Sequence, residues 1–340
     1  YRYEEPFAVG AYAAFQGFDM LLRHGSPIHV VNGERIFPWI MFHDPICKAS
    51  LVQTALLYGR GDVQEGKRGV RLTFSEKTVS DNMIWSDALN SMQSRLSLIA
   101  RFGLEQTDPS PALRPPAPAD DLRIPLLGGA QVVENTQGFA SSLESKAGSF
   151  SLADQISVLR KKGIIDRANR SNGAYVFENS TRELYVDTAR NYMSVNTPRF
   201  QGLCGEETAK AELRDVSIEL LKTRGIVSVA SLRKEKPIVD SDRLLLTYAT
   251  NALCSNMTFE NDSMMKVLYY GENPTMIETG RFRVRIRNKN ADKLKLYPLL
   301  MNGKRCAPVK PLSTKNGTFV AEIDTATLPE GPALFFELAE

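Results

Sequence analysis

Hydrophobic and polar residues alternate along most of the second half of the chain. The alternating segments are, in order, AYVFEN, ELYVDT, YMSVNT, DVSIELL, IVSVASL, RLLLTYAT, MKVLYYG, FRVRIRN, KLKLYPLL, GTFVAEID and ALFFELA. Turn-forming residues separate them, among them Asn191, Asn273 and the pair Asn316-Gly317. Many short strands at regular spacing, without intervening helices, are typical of an antiparallel β-sandwich. The pattern therefore predicts an all-β domain over residues 174–340.

The first sixty residues follow a different pattern. In residues 5–17 small and apolar side chains recur every three or four positions, which predicts a helix that ends at Gly17. Residues 18–24 (FDMLLRH) form an apolar run of strand length, and a long loop rich in Gly, Pro and Asn follows. Asp44, placed before a proline, is a suitable N-cap for a second helix over residues 45–58. Helix, strand, loop and helix in this order indicate an α/β unit.

The middle of the chain is mixed. KRGVRLTFSEKTV alternates like a strand and is interpreted as a first strand of the sandwich. Helical spacing predicts one helix over residues 86–101, ended by residues 102–103, and another over residues 151–162, stopped by Gly163. DPSPALRPPAPADD reads as an exposed, extended connector. The rest of residues 107–150 carries no assignable pattern.

Three regions follow from these changes of pattern. Residues 1–60 form the α/β part, residues 61–173 a mixed helical and Pro-rich connecting region, and residues 174–340 the sandwich. The predicted fold class is thus α/β plus all-β. A chain of 340 residues, 43% of them hydrophobic, is long and apolar enough for more than one core.

Charge and motifs exclude several classes of function. The formal net charge is only +3, which is too balanced to indicate a nucleic-acid partner. No apolar run approaches the roughly 20 residues needed to cross a bilayer. A phosphate-binding Walker loop, a dinucleotide fingerprint and a nucleophile elbow are also missing from the sequence. We therefore predict no membrane span, no nucleic-acid partner and no cofactor.

The four cysteines predict neither a disulfide framework nor a metal site. Cys47, Cys204, Cys254 and Cys306 lie far apart in sequence and form no C-x-x-C pair. A zinc site would need ligands paired at short spacing. We expect free thiols, either buried or on the surface, and no bound metal.

Several segments resemble the downstream half of retaining glycoside hydrolases of the cellulase-like (β/α)8-barrel superfamily, and they occur along the chain in the same order as in that family. The matching segments are YRYEEPFAVGAYAAFQGFDML, HDPICKASLVQTALLYGRGDV, ELYVDTARNYMSVNTPRFQGLCG, VSVASLRKEKPIVDSDRLLLTYAT, and GENPTMIE followed by RFRVRIRN. The third resembles the T-P-R-x-Q segment after the barrel, and the fourth resembles a family strand pair. Arg233 stands where that family usually shows Asp.

The resemblance implies that residues 1–60 supply helix 7, strand 8 and helix 8 of a TIM barrel, with the sandwich downstream. It also implies hydrolysis of a poly- or oligosaccharide by two glutamates at the ends of barrel strands 4 and 7. Both would lie upstream of Tyr1, so the catalytic residues are not identified. The chain is accordingly expected to be a fragment or processed product, with the missing barrel portion as its partner. Its location stays open, with an extracellular or periplasmic one favoured over the cytoplasm.

Glu4 and Glu5 lie beside the position expected for the nucleophile. A helix N-terminus also favours negative side chains, and we interpret both residues as the start of the first helix.

Candidate substrate contacts come from the loop after the predicted eighth strand. His24 would end that strand, either lining the cleft or making structural hydrogen bonds, and His29 follows in the loop. Trp39 is one of only two tryptophans and could stack under a sugar ring or pack the loop onto the barrel. Asn32 and Glu34 lie in the same loop. His43 and Trp85 are interpreted as structural.

The residues of the Thr197-Pro198-Arg199 corner also have a structural interpretation. Pro198 cannot donate to a ladder and should end a strand, while Arg199 and Gln201 can bond carbonyl groups at the corner of a sheet. One other function stays open from sequence, a non-catalytic carbohydrate-binding or scaffold sandwich. Asn-x-Ser/Thr acceptors at residues 169, 179, 256, 261 and 316 are too common a motif to decide between the two.

Overall fold

The computed structural model describes residues 3–22, 44–75, 93–107, 120–125, 152–264 and 266–340. The chain divides into two compact units. The sandwich unit contains residues 1–13, 19–63 and 190–340, and the parallel-sheet unit contains residues 14–18 and 64–189.

Two helices form near the start of the chain, as predicted. Helix α1 spans Glu4–Gln16, and Gly17 follows it with φ 67°, a left-handed conformation that suits glycine. Helix α2 spans Pro45–Thr54 and continues as a π-helical turn over Ala55–Gly59. The Oδ1 atom of Asp44 accepts hydrogen bonds from the backbone N–H groups of Ile46 (2.9 Å) and Cys47 (3.2 Å). The predicted N-cap is confirmed.

The strand predicted over residues 18–24 is wrong where the structure describes it. Residues 18–22 carry no strand, and Phe18, Met20 and Leu22 are all more than half exposed. A strand needs a neighbour to satisfy its backbone hydrogen bonds, and no described strand pairs with this segment. An apolar run of strand length is therefore not sufficient to make a strand here.

The parallel-sheet unit holds a small parallel sheet beside helices and a hairpin. Its elements are β1 Gly69–Phe74, α3 Gln93–Leu96, β2 Arg101–Gln106, β3 Leu122–Pro125, α4 Leu152–Lys161, β4 Val176–Glu178 and β5 Leu184–Asp187. Strand β1 lies in the centre and pairs in parallel with β2 and β3. Helix α4 buries Leu152, Ile156 and Leu159 in a core with Val70 of β1. Strands β4 and β5 form an antiparallel pair.

Two details of the middle region differ from prediction. Strand β1 exists, but it belongs to the parallel sheet rather than to the sandwich, because alternation identifies a strand without identifying its partner. The helix predicted to reach residue 101 ends at Leu96, and Phe102 and Gly103 lie within β2. Helix α4 ends as predicted, with Gly163 at φ 69°.

The described chain beyond residue 190 contains only antiparallel strand pairs. Its strands are β6 Tyr192–Asn196, β7 Phe200–Gly205, β8 Lys210–Glu212, β9 Val216–Lys222, β10 Gly225–Ser231, β11 Arg243–Ala249, β12 Ala252–Ser255, β13 Thr258–Phe259, β14 Val267–Tyr269, β15 Glu272–Ile277, β16 Arg281–Arg287, β17 Lys295–Leu299, β18 Thr318–Asp324 and β19 Phe335–Ala339. The larger sheet of the sandwich unit has the order β17-β19-β11-β10-β7-β6, and the smaller one β18-β16-β9-β8. Strands β12 and β15, and β13 and β14, form two further pairs.

The two sheets enclose one apolar core, which confirms the predicted sandwich. Strand β16 alternates buried and exposed residues along RFRVRIR, so Phe282, Val284 and Ile286 face the core. Strand β10, in contrast, is buried at every position. Its second face lies under the helices, because Gln53 of α2 donates a hydrogen bond to the Ser228 hydroxyl at 3.0 Å. The sandwich unit is therefore built in three layers, two sheets and a helical layer.

Gly280 provides a test of this packing. A Cβ atom at Gly280 would overlap the Tyr248 hydroxyl and lie 2.7 Å from the carbonyl oxygen of Lys222. We expect Gly280→Ala to destabilise the protein by about 1–3 kcal/mol, as overpacking typically does. Gly59→Ala is the matched control, because no atom lies within 4 Å of its added Cβ. Equal urea midpoints for the two variants would contradict the described packing around Gly280.

Candidate functional site

The residues predicted to contact substrate cannot be placed. His24, His29 and Trp39, with Asn32 and Glu34, fall in residues 23–43, outside the described residues. His43 and Trp85, interpreted as structural, also lie outside them. All of these assignments stay predictions.

Glu4 and Glu5 occupy the first turn of α1, where the helix dipole favours a negative charge. This confirms their interpretation as a helix start. Burial, followed by the nearby charge of Glu4, raises the pKa of Tyr3 well above its usual range. The Tyr3 hydroxyl therefore stays protonated at ordinary pH.

A buried carboxylate organises the segment that leaves α2. Gly61, with φ 70°, turns the chain so that Asp62 points inward, and its side chain is fully buried. The Arg60 side chain binds both carboxylate oxygens, with Nε 2.9 Å from Oδ1. Arg199 approaches from the strand corner and places Nη2 2.9 Å from the same Oδ1. We call Arg60, Asp62 and Arg199 the junction cluster.

The two arginines of the junction cluster also bind backbone carbonyls of a third segment. Arg60 donates from Nη1 to the Ser231 carbonyl, and Arg199 donates from Nη1 to the Lys234 carbonyl, both at 2.6 Å. Nearby, the Ile238 N–H donates to the Pro198 carbonyl at 2.8 Å. Residues 60–62, 197–199 and 231–238 are therefore held together by direct contacts. The prediction that Arg199 bonds carbonyl groups at a sheet corner is confirmed.

A second polar cluster lies at the same corner. Gln201 donates from Nε2 to the Thr197 carbonyl and to Asp215 Oδ2, both at 3.1 Å. Its Oε1 accepts from the backbone N–H groups of Asp215 (2.8 Å) and Val216 (2.9 Å). Arg287 completes the set with Nη2 2.6 Å from Asp215 Oδ1. The buried Gln201 side chain thereby joins β7 to the start of β9, which confirms its predicted structural role.

Arg233 stands at the position where Asp was expected from the resemblance, and its side chain pairs with a nearby aspartate. Its Nη2 lies 2.8 Å from Oδ2 of Asp242, and both side chains are substantially exposed. A hydrogen bond from Arg233 holds the pKa of Asp242 well below its usual range. Arg233 therefore forms an ion pair at the surface.

The buried carboxylates in the described part of the chain have structural partners. Arginines engage Asp62, Asp121, Glu178, Asp215 and Glu337. Asp44 caps α2, Asp187 accepts from the Ala189 N–H, and Glu183 accepts from the Gln64 N–H. A general acid needs a proton to give, and a nucleophile needs a free lone pair. These carboxylates hold the fold together and are poor candidates for either role.

The cysteines are free thiols, as predicted, and Cys47, Cys204 and Cys254 are buried. Burial, followed by the nearby charges of Glu4 and Glu206, raises the pKa of Cys204 well above its usual range. A thiol that stays protonated is a weak nucleophile. Within the described ranges, no group of three or more His, Cys, Asp or Glu side chains is arranged to hold a metal ion.

Comparison with protein-family models, with curated proteins and with solved structures gives no match. Of the helices that the structure describes, none is long and apolar enough to cross a membrane.

Sequence reasoning missed one further polar group. Glu337 is buried in β19 between Arg243 and Arg305. The only sequence signal was a glutamate within the apolar segment ALFFELA, since a charged residue on a buried strand requires a partner. Neither arginine is near it in sequence.

Proposed function

We propose that this chain is the downstream part of a retaining glycoside hydrolase of the cellulase-like superfamily. The enzyme would cleave O-glycosidic bonds of a poly- or oligosaccharide, with its two catalytic glutamates outside residues 1–340. In this proposal residues 1–60 supply the last two helices of the barrel, α1 and α2, and His24, His29 and Trp39 line the substrate cleft.

The junction cluster carries the proposal. The R-G-D-V turn, the T-P-R-x-Q corner and the SLRKEKPI loop each resemble a different segment of the family and lie apart in sequence. Asp62, Arg199 and Arg60 bind these three segments to one another. Motifs that connect a last barrel helix to a following sandwich would be expected to converge in this way. The antiparallel sandwich behind the helices supports the same proposal.

The alternative is a non-catalytic carbohydrate-binding or scaffold protein, and one observation is compatible with both proposals. The buried carboxylates of the described residues are all engaged in caps, ion pairs or turns, so they offer no acid–base pair. The two proposals differ in what the full gene encodes upstream. The hydrolase requires a strand ending in Glu shortly before Tyr1 and a second Asn-Glu strand end farther upstream.

The deciding experiment compares the full gene product with the 340-residue chain on aryl glycosides and on polysaccharides. We expect turnover by the full product with retention of the anomeric configuration, followed by NMR, and no turnover by the shorter chain. An inactive full product that still binds oligosaccharides would favour the binding protein. Turnover by the 340-residue chain that Glu4→Gln or Glu5→Gln abolishes would refute the placement of the catalytic glutamates.

Trp39→Ala in the full product tests the proposed cleft. Stacking under a pyranose ring would be worth on the order of 1–2 kcal/mol at about 25 cal/mol per Å² of buried apolar area. We therefore expect KM for oligosaccharides to rise roughly tenfold, since 1.4 kcal/mol corresponds to a factor of ten. The melting temperature should change little. Unchanged KM together with a large fall in melting temperature would assign Trp39 to packing instead.

A further inference from the structure

The register of three strands places a group of charged side chains on one face of the larger sheet. Lys295 of β17, Ala339 of β19 and Arg243 of β11 lie side by side in one row. Tyr297, Glu337 and Leu245 form the row two residues along. Residues opposite one another, and residues two apart, share a face of a sheet. Lys295, Arg243, Tyr297 and Glu337 are therefore presented on the same face.

Arg305 joins this group from the segment that follows β17. A bridge between Leu299 and Arg305 turns that segment back along the edge of the sheet. The guanidinium carbon of Arg305 then lies 4.6 Å from the centre of the Tyr297 ring, within the range of a cation–π contact. We call Arg243, Lys295, Tyr297, Arg305 and Glu337 the basic face.

Glu337 orients the two arginines. Its side chain is only 5% exposed, and each of its oxygens accepts from the Nε of one arginine, Oε1 from Arg243 and Oε2 from Arg305 at 2.6 Å. Burial alone would raise the pKa of Glu337, but the bonds from Arg305 and Arg243 outweigh that effect and hold the pKa below its usual range. The carboxylate therefore stays charged and keeps both guanidinium groups in fixed positions.

The terminal nitrogens of both arginines have no acceptor among the described residues. Each arginine uses only Nε toward Glu337, and the side chains of Arg243 and Arg305 are 49% and 41% exposed. Lys295 adds an exposed ammonium group in the same row as Arg243. Two arginines thus bind the oxygens of one carboxylate, and a third cationic side chain, Lys295, lies in the neighbouring row of the same face. The basic face presents an excess of oriented N–H donors to solvent.

We propose that the basic face binds an oxyanion, a carboxylate or sulfate group, carried on a carbohydrate chain. Planar guanidinium groups suit such oxyanions because they donate paired hydrogen bonds, and the Tyr297 ring offers an apolar surface beside them. The carbohydrate part rests on the proposed function and makes an acidic polysaccharide the substrate class. The anion part rests on the basic face alone.

Calorimetric titration of the 340-residue chain with hexagalacturonate, cellohexaose and sodium sulfate tests this. We expect hexagalacturonate to bind about tenfold or more tightly than the neutral cellohexaose, as one or two charge-assisted hydrogen bonds would give. Added salt should weaken the binding of hexagalacturonate and leave the binding of cellohexaose unchanged. Lys295→Gln and Arg305→Gln should each weaken hexagalacturonate binding by about five- to tenfold. Arg283→Gln, whose guanidinium already pairs with Glu219 and Glu322, is the matched control and should change nothing.

Lys295→Gln keeps the test valid if Arg305→Gln fails to fold, because Lys295 is exposed and forms no ion pair among the described residues. Equal affinity for the acidic and neutral hexasaccharides, or acidic binding that survives Lys295→Gln, would overturn the proposal. Sulfate binding at these residues without tighter hexagalacturonate binding would restrict the basic face to free anions and refute the carbohydrate part. These are binding measurements, so the absence of glycosidase activity in the full product would refute the proposed function without altering them.

Discussion

Replacing Asp62 with asparagine is expected to lower the free energy of unfolding by about 3–5 kcal/mol, the usual cost of removing one partner from a buried ion pair. The substitution keeps the shape of the side chain but removes the charge between Arg60 and Arg199. These arginines are only 15% and 24% exposed, so water cannot fully replace the carboxylate. Urea unfolding of Asp62→Asn beside the unmodified chain measures the effect.

Asp242→Asn is the matched control for Asp62. Asp242 also binds an arginine through both carboxylate oxygens, Arg233 in this case, but the pair lies at the surface. Solvent screens such a pair, and exposed ion pairs contribute little to stability. We expect the unfolding midpoint of Asp242→Asn to stay close to that of the unmodified chain. If the two variants lost the same stability, the structural importance of the junction cluster would be refuted.

Leu246→Ala should cost about 2–5 kcal/mol, the range for deleting a buried leucine side chain. Leu246 lies on β11 between Val229 of β10 and Phe336 of β19 and is buried in the core of the sandwich. Both sheets contribute to that core, so the cavity would be enclosed on all sides and could collapse only partly. Thermal and urea unfolding of the variant give the loss directly.

Leu312→Ala removes the same atoms at the surface. The Leu312 side chain is 63% exposed, so its truncation should change stability by no more than about 0.5 kcal/mol. The same atoms are removed in both leucine variants. The difference between their losses in unfolding free energy therefore measures the effect of burial alone. A small effect at Leu246 would mean that the two sheets do not enclose a tightly packed core.

Features that depend on a few neighbouring residues were predictable from the sequence. The cap at Asp44, the left-handed glycines after α1 and α4, and the turn at Asn316 and Gly317, both with positive φ, follow from local chemistry. Three strands of the smaller sheet, β9, β16 and β18, were also predictable, since one face of each is buried and the other meets water. In such strands the alternation of apolar and polar residues shows which side chains face the core. The short strand β8 was not predicted.

Several strands gave a weaker signal. Strand β7 is buried at all six positions, FQGLCG, because both faces of the larger sheet are covered, so no alternation marks it. Strands β2 and β3 flank the Pro-rich connector and are short, and only their parallel pairing with β1 makes them strands. Residues 18–22 show the converse, an apolar run that remains unpaired.

The polar clusters depended on tertiary structure still more strongly. Arg199 and Gln201 stood out in the sequence as members of one motif, and their bonding at a sheet corner was foreseeable. The burial of Asp62 between Arg60 and Arg199 was not foreseeable. Nor was the basic face, because Arg305 and Glu337 lie 32 residues apart and Arg243 and Glu337 lie 94 apart. Partners at that separation meet only when β11, β17 and β19 have paired.

The sequence by itself therefore determined the cap of α2, the stops of α1 and α4, most strands of the second half, and the antiparallel sandwich that they build. Periodicity, capping and turn formation depend on interactions within a few residues, so they can be predicted directly from the sequence. Only the tertiary structure decided that β1 joins a parallel sheet, that residues 18–22 stay unpaired, and that Asp62 and Glu337 lie buried between arginines. Strand pairing and charge burial depend on which distant segments come into contact, and the free energy of those contacts exists only in the assembled fold.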